Sequence, residues 1–107
     1  MYLVHAHLAP PAFGEAPGEV MRQIRASVLG HRDVQFVACH PDGPGGPVLG
    51  IFALATSVEE AEERIAALCR SALNSDAGLR GWSLGRCEVV LALPGSHPRI
   101  EDGPDMA

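Results

Sequence analysis

Between Ser57 and Ser75 the apolar residues Val58, Ala61, Ile65, Leu68, Cys69, Ala72 and Leu73 recur at three- and four-residue steps. Glu59, Glu60, Glu63, Arg64 and Arg70 take the opposite side, and Glu62 sits at the rim. This spacing predicts a helix with one buried stripe. Ser57 followed three residues on by Glu60 is a capping box that marks its start. Glu60 and Arg64 add an i,i+4 pair, worth only tenths of a kcal/mol. A one-sided helix needs an apolar surface to lie on, and the flanking runs supply one.

Residues 2–9, YLVHAHLA, alternate as a strand. Tyr2, Val4, Ala6 and Leu8 point one way and Leu3, His5, His7 and Ala9 the other. The segment PPAFGEAPG (10–18) is a Pro/Gly loop. Glu19 to Leu29 predicts a short helix burying Val20, Met21, Ile24 and Val28, with Arg22 and Arg25 toward water and Gly30 as a left-handed C′ stop. A second strand covers Val34–His40, PDGPGGP (41–47) is a turn, and a third strand covers residues 48–55. DAGLRG (76–81) breaks the pattern after the long helix, and a fourth strand runs from about Trp82 to Leu93. From Pro94 to the end there is no apolar periodicity, which predicts a flexible tail over 94–107.

The predicted order is β-α-β-β-α-β, an α+β class. Two right-handed crossovers would give one four-stranded antiparallel sheet, order 4-1-3-2, with both helices on a single face. This order resembles the ferredoxin-like fold over residues 2–93, and we expect 1–93 to be a single domain of that kind. The resemblance rests on element order and implies no family's function. Chains of that fold often pair sheet to sheet as dimeric α/β barrels, and the present pattern is similar to theirs.

Helices on one face leave the other open. If Tyr2, Val4, Ala6 and Leu8 go under the helices, Leu3, His5 and His7 are left outside. In the fourth strand, Val89, Leu91 and Leu93 inward would leave Arg86, Glu88, Val90 and Ala92 outward. The third strand is apolar on both alternating sets, so one set must lie on the open side. A solvated antiparallel face shows polar alternation, whereas a mixed apolar and ionisable face suits a partner or ligand. The candidate binding residues are therefore Leu3, His5, His7, Arg86, Glu88 and Val90. His5, His7 and Glu88 are the catalytic candidates, because a carboxylate beside an imidazole can fix its tautomer for proton transfer. Two histidines at i,i+2 on a strand could also share a metal, with Glu88 or His40 as a third ligand. No third ligand lies nearby in sequence, so no metal is expected. Cross-strand ion pairing explains Arg86 and Glu88 without any chemistry.

Composition narrows the functions. The chain has 107 residues, a net charge of −5, and no lysine, all eight basic residues being arginine. Without lysine there is no Walker A loop, Schiff-base chemistry or lysyl-carried cofactor, and no cofactor is expected. The negative charge gives no footprint for nucleic acid or anionic lipid. An RNA-binding sheet would also need stacking aromatics, and only Tyr2 and Phe52 look placed for that. The first loop lacks both the cysteines of a copper chaperone and the arginine of an acylphosphatase cradle; a small amino-acid-binding regulatory domain stays open. No run approaches the roughly 20 apolar residues of a membrane span, and no signal-peptide pattern precedes Tyr2, so a cytoplasmic protein is expected. The Ala, Gly, Pro and Arg bias matches GC-rich bacterial genomes. Cys39, Cys69 and Cys87 are expected to be free thiols. Cys39 and Cys87 would lie on opposite edges, about 14 Å apart at ~4.8 Å per strand step. Cys87, directed inward on a strand, is a poor nucleophile.

Two functions fit. The first is a homodimeric, non-catalytic module that binds a small apolar ligand or a protein partner. The alternative is a cofactor-free enzyme of the dimeric α/β-barrel type, monooxygenase-, cyclase- or isomerase-like, moving protons with His5, His7 or Glu88.

Overall fold

The one-sided stripe folds as a helix over Val58–Asn74, capped at Ser57 and Ser75. The Glu60 backbone N–H donates to Ser57 Oγ at 3.0 Å. The return half of the cap reaches one residue further than a simple capping box: Glu60 Oε1 accepts from the backbone N–H of Thr56 at 2.6 Å and from its hydroxyl at 2.7 Å. Arg64 then joins three partners, Glu60 and Asp33 at 2.9 Å each and the Leu54 carbonyl at 3.2 Å. These bonds tie the start of the helix to the strands before it.

The computed structural model describes residues 1–12, 17–43, 45–75 and 79–93. The elements are β1 (Tyr2–Ala9), α1 (Pro17–Leu29), β2 (Val34–His40), β3 (Val48–Ala53), α2 (Val58–Asn74) and β4 (Ser83–Ala92). The strands form one antiparallel sheet in the order β2-β3-β1-β4, which is 4-1-3-2 from the other edge. The fold is a small α+β fold with an open four-stranded sheet and two helices. The expected tail at 94–107 lies outside the described residues.

Alternation in β1 follows the hydrophobic pattern, with Tyr2, Val4, Ala6 and Leu8 buried. Register carries this face across the sheet. Val37, Ile51, Val4 and Val89 stand in one row beneath the helices, and Cys39, Leu49, Ala6 and Cys87 stand in the next. Val20, Met21, Ile24 and Val28 of α1 and Ala61, Ile65, Cys69, Ala72 and Leu73 of α2 close over them. Burial of such branched side chains is the main stabilising term, about 1.5–3 kcal/mol each.

Several expectations are corrected. Pro17 opens α1 two residues before Glu19, as suits a residue with no N–H to donate. Gly30 is not left-handed: Gly46 and Gly81 alone have positive φ among the described residues. The chain leaves α1 instead through successive turns, His31 N–H to the Val28 carbonyl and Val34 N–H to the His31 carbonyl, both at 3.0 Å. Arg25 does not simply face water, because its Nε donates to the Val37 carbonyl at 3.1 Å. In β4 the predicted inward set fails beyond Val89. The pairing shifts between Leu3 and Val4, so that Val4 opposes Val89 but Leu3 opposes Leu91 and Tyr2 opposes Ala92. The extra residue is Val90, a bulge that reverses the parity of everything after it. Leu91 is therefore 48% exposed on the open side rather than under the helices, and Ala92 falls on the helix side opposite Tyr2.

Both outer strands are guarded by charged side chains from the helices. Glu62 Oε2 accepts from the Val89 N–H at 2.9 Å on β4, and Arg25 takes the Val37 carbonyl on β2. Charges on edge strands discourage edge-to-edge pairing.

The Thr56 bonds, first its backbone N–H and then its hydroxyl, hold the Glu60 carboxyl below its ordinary value of 4.5, with Arg64 adding to them. A depressed folded-state pKa gives stability that is present above pH 4.5 and lost as pH falls through the folded value. Thermal unfolding of the native chain and Glu60→Gln should therefore differ at neutral pH and converge on acidification. A difference that does not shrink as the pH is lowered would assign the effect to packing instead.

Candidate functional site

On the open side, register stacks the side chains into three rows. Phe36, Phe52, Leu3 and Leu91 oppose one another across all four strands and make an apolar row. Ala38, Gly50, His5 and Glu88 form the second row, and His40, Val48 and His7 the third. The face is thus graded, apolar at one end and rich in imidazole and carboxylate at the other. Phe36 and Phe52 meet with ring centroids 6.0 Å apart at 47°, and Phe36 is 51% exposed. For a monomer in water this is an unusual place for a Phe pair.

His5 lies opposite Glu88 in the register, with Arg86 Nε 3.3 Å from Glu88 Oε2. The His5 and His7 rings sit edge to face with centroids 6.3 Å apart. Glu88 is thus engaged by Arg86, and no hydrogen bond joins it to His5 among the described residues. His40 lies in the same row as His7 but two strands away, with Val48 between them. No three His, Cys, Asp or Glu side chains among the described residues are grouped to hold a metal. Leu3 belongs to the apolar row, and Val90, 44% exposed, stands at the bulge beside it.

Gly50 explains the middle of the face. A Cβ there would stand 3.6 Å from Leu3 Cδ1, 3.9 Å from His5 Cδ2 and 4.0 Å from Ala38 Cβ. The Leu3 and His5 side chains therefore close over Gly50, which is itself buried between its neighbours on the open side.

Four residues of this face escaped the sequence reading: Phe36, Ala38, Gly50 and Leu91. Tyr2 is buried under the helices, as the alternation of β1 predicts, and the aromatic beside Phe52 on the open side is Phe36. A period-2 reading of Phe36, Ala38 and His40 would have put them on one face, but the shift between Val34 and Phe36 hides it at the strand's start.

The cysteines stay out of this site. Cys69 is buried in α2, and burial pushes its thiol up to about 12. Cys87 turns toward the helices, with Sγ 3.7 Å from the Glu62 carbonyl, and burial followed by the Glu62 charge raises it to about 11. Burial also raises Cys39, against the pull of Arg25 and Arg22. Thiolate is the reactive form, so Cys39 should label first with iodoacetamide at pH 8, Cys87 more slowly, and Cys69 only on unfolding. Mass mapping of the labelled peptides reads the order, and early labelling of Cys69 would contradict it.

No protein-family model, curated protein or solved structure matches this chain. Among the described residues no helix is long and apolar enough to cross a membrane.

Proposed function

We propose that this chain is a ferredoxin-like module that works as a homodimer, a second copy packing on the open sheet face and the two faces together holding a small apolar ligand. The observation that carries this reading is the row Phe36, Phe52, Leu3 and Leu91, which sets apolar side chains side by side across the whole sheet. Two further features favour a second copy as the occupant. One backbone group on each outer strand is taken by a charged side chain, the Val89 N–H by Glu62 and the Val37 carbonyl by Arg25, which disfavours edge-to-edge pairing relative to pairing through the face. The adjacent opposite charges of Arg86 and Glu88 are self-complementary under a two-fold axis, as an isologous contact requires. The ligand would lie on the open face, with His5, His7 and Glu88 as the polar end and Leu3, Val90 and Arg86 around it.

Light scattering at tens of micromolar is the test. A mass of twice 11.3 kDa is expected, and a mass of 11.3 kDa would remove the dimer from the reading.

The second reading is a cofactor-free enzyme of the dimeric α/β-barrel type, monooxygenase-, cyclase- or isomerase-like. The opposition of His5 and Glu88 in the register favours it, since that is the pairing a proton-transfer site needs. Under either reading, replacing His5 and His7 by alanine should abolish binding or turnover and leave the fold intact. Loss of binding alone identifies the module, and retained binding with lost turnover identifies the enzyme.

A further inference from the structure

The open face carries a second pattern besides its apolar row. His5 stands in its second row, and His7 and His40 stand in the third, on either side of Val48. Three of the chain's five histidines therefore share one side of one sheet. His5 and His7 are half-buried, and His40 is exposed. The rings of His5 and His7 lie 6.3 Å apart, close enough for a charge on one to oppose a charge on the other.

The other charges that the register sets on this face cancel. β4 brings Glu88 opposite His5, and Arg86 Nε lies 3.3 Å from Glu88 Oε2. β3 brings Phe52, Gly50 and Val48, none of which ionises, and β2 adds Phe36 and Ala38 before His40. Both helices pack on the opposite side of the sheet. Asp42 stands exposed in the turn, two residues past His40.

With neutral imidazoles these rows hold one guanidinium against one carboxylate. With protonated imidazoles they hold up to three further positive charges per copy, and a two-fold axis sets the charges of the two copies against each other. Imidazole is the side chain whose charge ordinarily changes between pH 5 and 8. Removal from water disfavours its charged form. Glu88 works the other way for His5, but it shares its carboxylate with Arg86 and stands opposite one of the three rings.

We infer that pH governs the pairing of two copies, given the sheet-to-sheet dimer already proposed: the dimer forms while His5, His7 and His40 are neutral and separates when they are protonated. A dimer that holds fewer protons than two monomers is favoured as pH rises and weakens as pH falls through the imidazole range. An imidazole of ordinary pKa, about 6.5, is about nine-tenths protonated at pH 5.5, so each one that must shed its proton costs about a factor of ten. One such imidazole in each copy already gives about a hundredfold.

Sedimentation equilibrium of the full chain at pH 7.5, 6.5 and 5.5, at constant ionic strength, reads the dissociation constant. Circular dichroism reads the fold at each pH. A rise of at least about a hundredfold between pH 7.5 and 5.5 is expected, with the fold unchanged. Combining His5→Gln, His7→Gln and His40→Gln should flatten the pH dependence whatever the affinity at pH 7.5, and at least one of the single replacements should reduce it. A mass of 11.3 kDa at pH 7.5 overturns the pairing itself and this switch with it. A dimer whose constant does not rise on acidification, or a native pH dependence kept in all three single variants, overturns the switch alone. Dissociation that accompanies loss of the dichroism signal assigns the acid effect to unfolding and overturns the switch as well.

Discussion

Phe52→Glu is expected to turn the proposed dimer into an 11.3 kDa monomer while leaving the monomer folded. Phe52 sits at the inner side of the apolar row, between Phe36 of β2 and Leu3 of β1. Its neighbours in sequence, Ile51 and Ala53, point under the helices, so a charge at 52 does not enter the core. In an isologous interface the substitution occurs twice and places two like charges near the axis. An uncompensated charge in a dry contact costs about 3–5 kcal/mol. Each 1.4 kcal/mol is about a factor of ten, so the dissociation constant should rise at least about a hundredfold. The control is Val58→Glu, a more exposed apolar residue at the start of α2 on the helix side, which should leave the mass unchanged. If Phe52→Glu keeps the native mass, the two copies meet through another surface. If both variants dissociate, the contact lies on the helices.

That test depends on parity, and parity was legible only where the sequence marks it. β1 alternates apolar with His or small residues, so Tyr2, Val4, Ala6 and Leu8 could be assigned to the core and His5 and His7 to the open side from composition alone. The start of α2 was legible to the residue because Ser57 and Glu60 mark it, while its end was read only from the break in pattern at 76–81. β4 was legible only around Cys87 and Glu88, because a first shift in its pairing with β1 already falls between Leu84 and Cys87. Beyond Glu88 the run Val89-Val90-Leu91-Ala92-Leu93 is apolar at every position, and a bulge at Val90 leaves no polar residue on the wrong face to betray it. The same physics hid Phe36, since Gln35 sits at a shift in the β2–β3 pairing and β2 does not alternate cleanly. What local pattern cannot show is where one extra residue is spent, and each such residue here decides which side chains reach the open face.

The core should respond in the opposite sense. Ile51→Ala is expected to destabilise the chain by about 3–4 kcal/mol, within the range for removing a buried isoleucine to alanine. Ile51 is fully buried and occupies the inner place of the row Val37, Ile51, Val4 and Val89, with a strand on each side and the helices above. No neighbour can collapse into the space without breaking its own register, so most of the cavity should persist. Against a total of about 5–15 kcal/mol for a domain of this size, that is a large fraction. At about 4–8 °C per kcal/mol the midpoint should fall by about 12–32 °C. Ile51→Val, which removes one methylene, should cost only about 1 kcal/mol. Phe52→Ala, one residue along but facing the other way, should cost the isolated monomer little. Urea unfolding of the three variants at submicromolar concentration, where association contributes least, reads the series. Equal losses for Ile51→Ala and Phe52→Ala would mean that both faces of β3 are covered within one chain, and the open face on which the dimer rests would not exist.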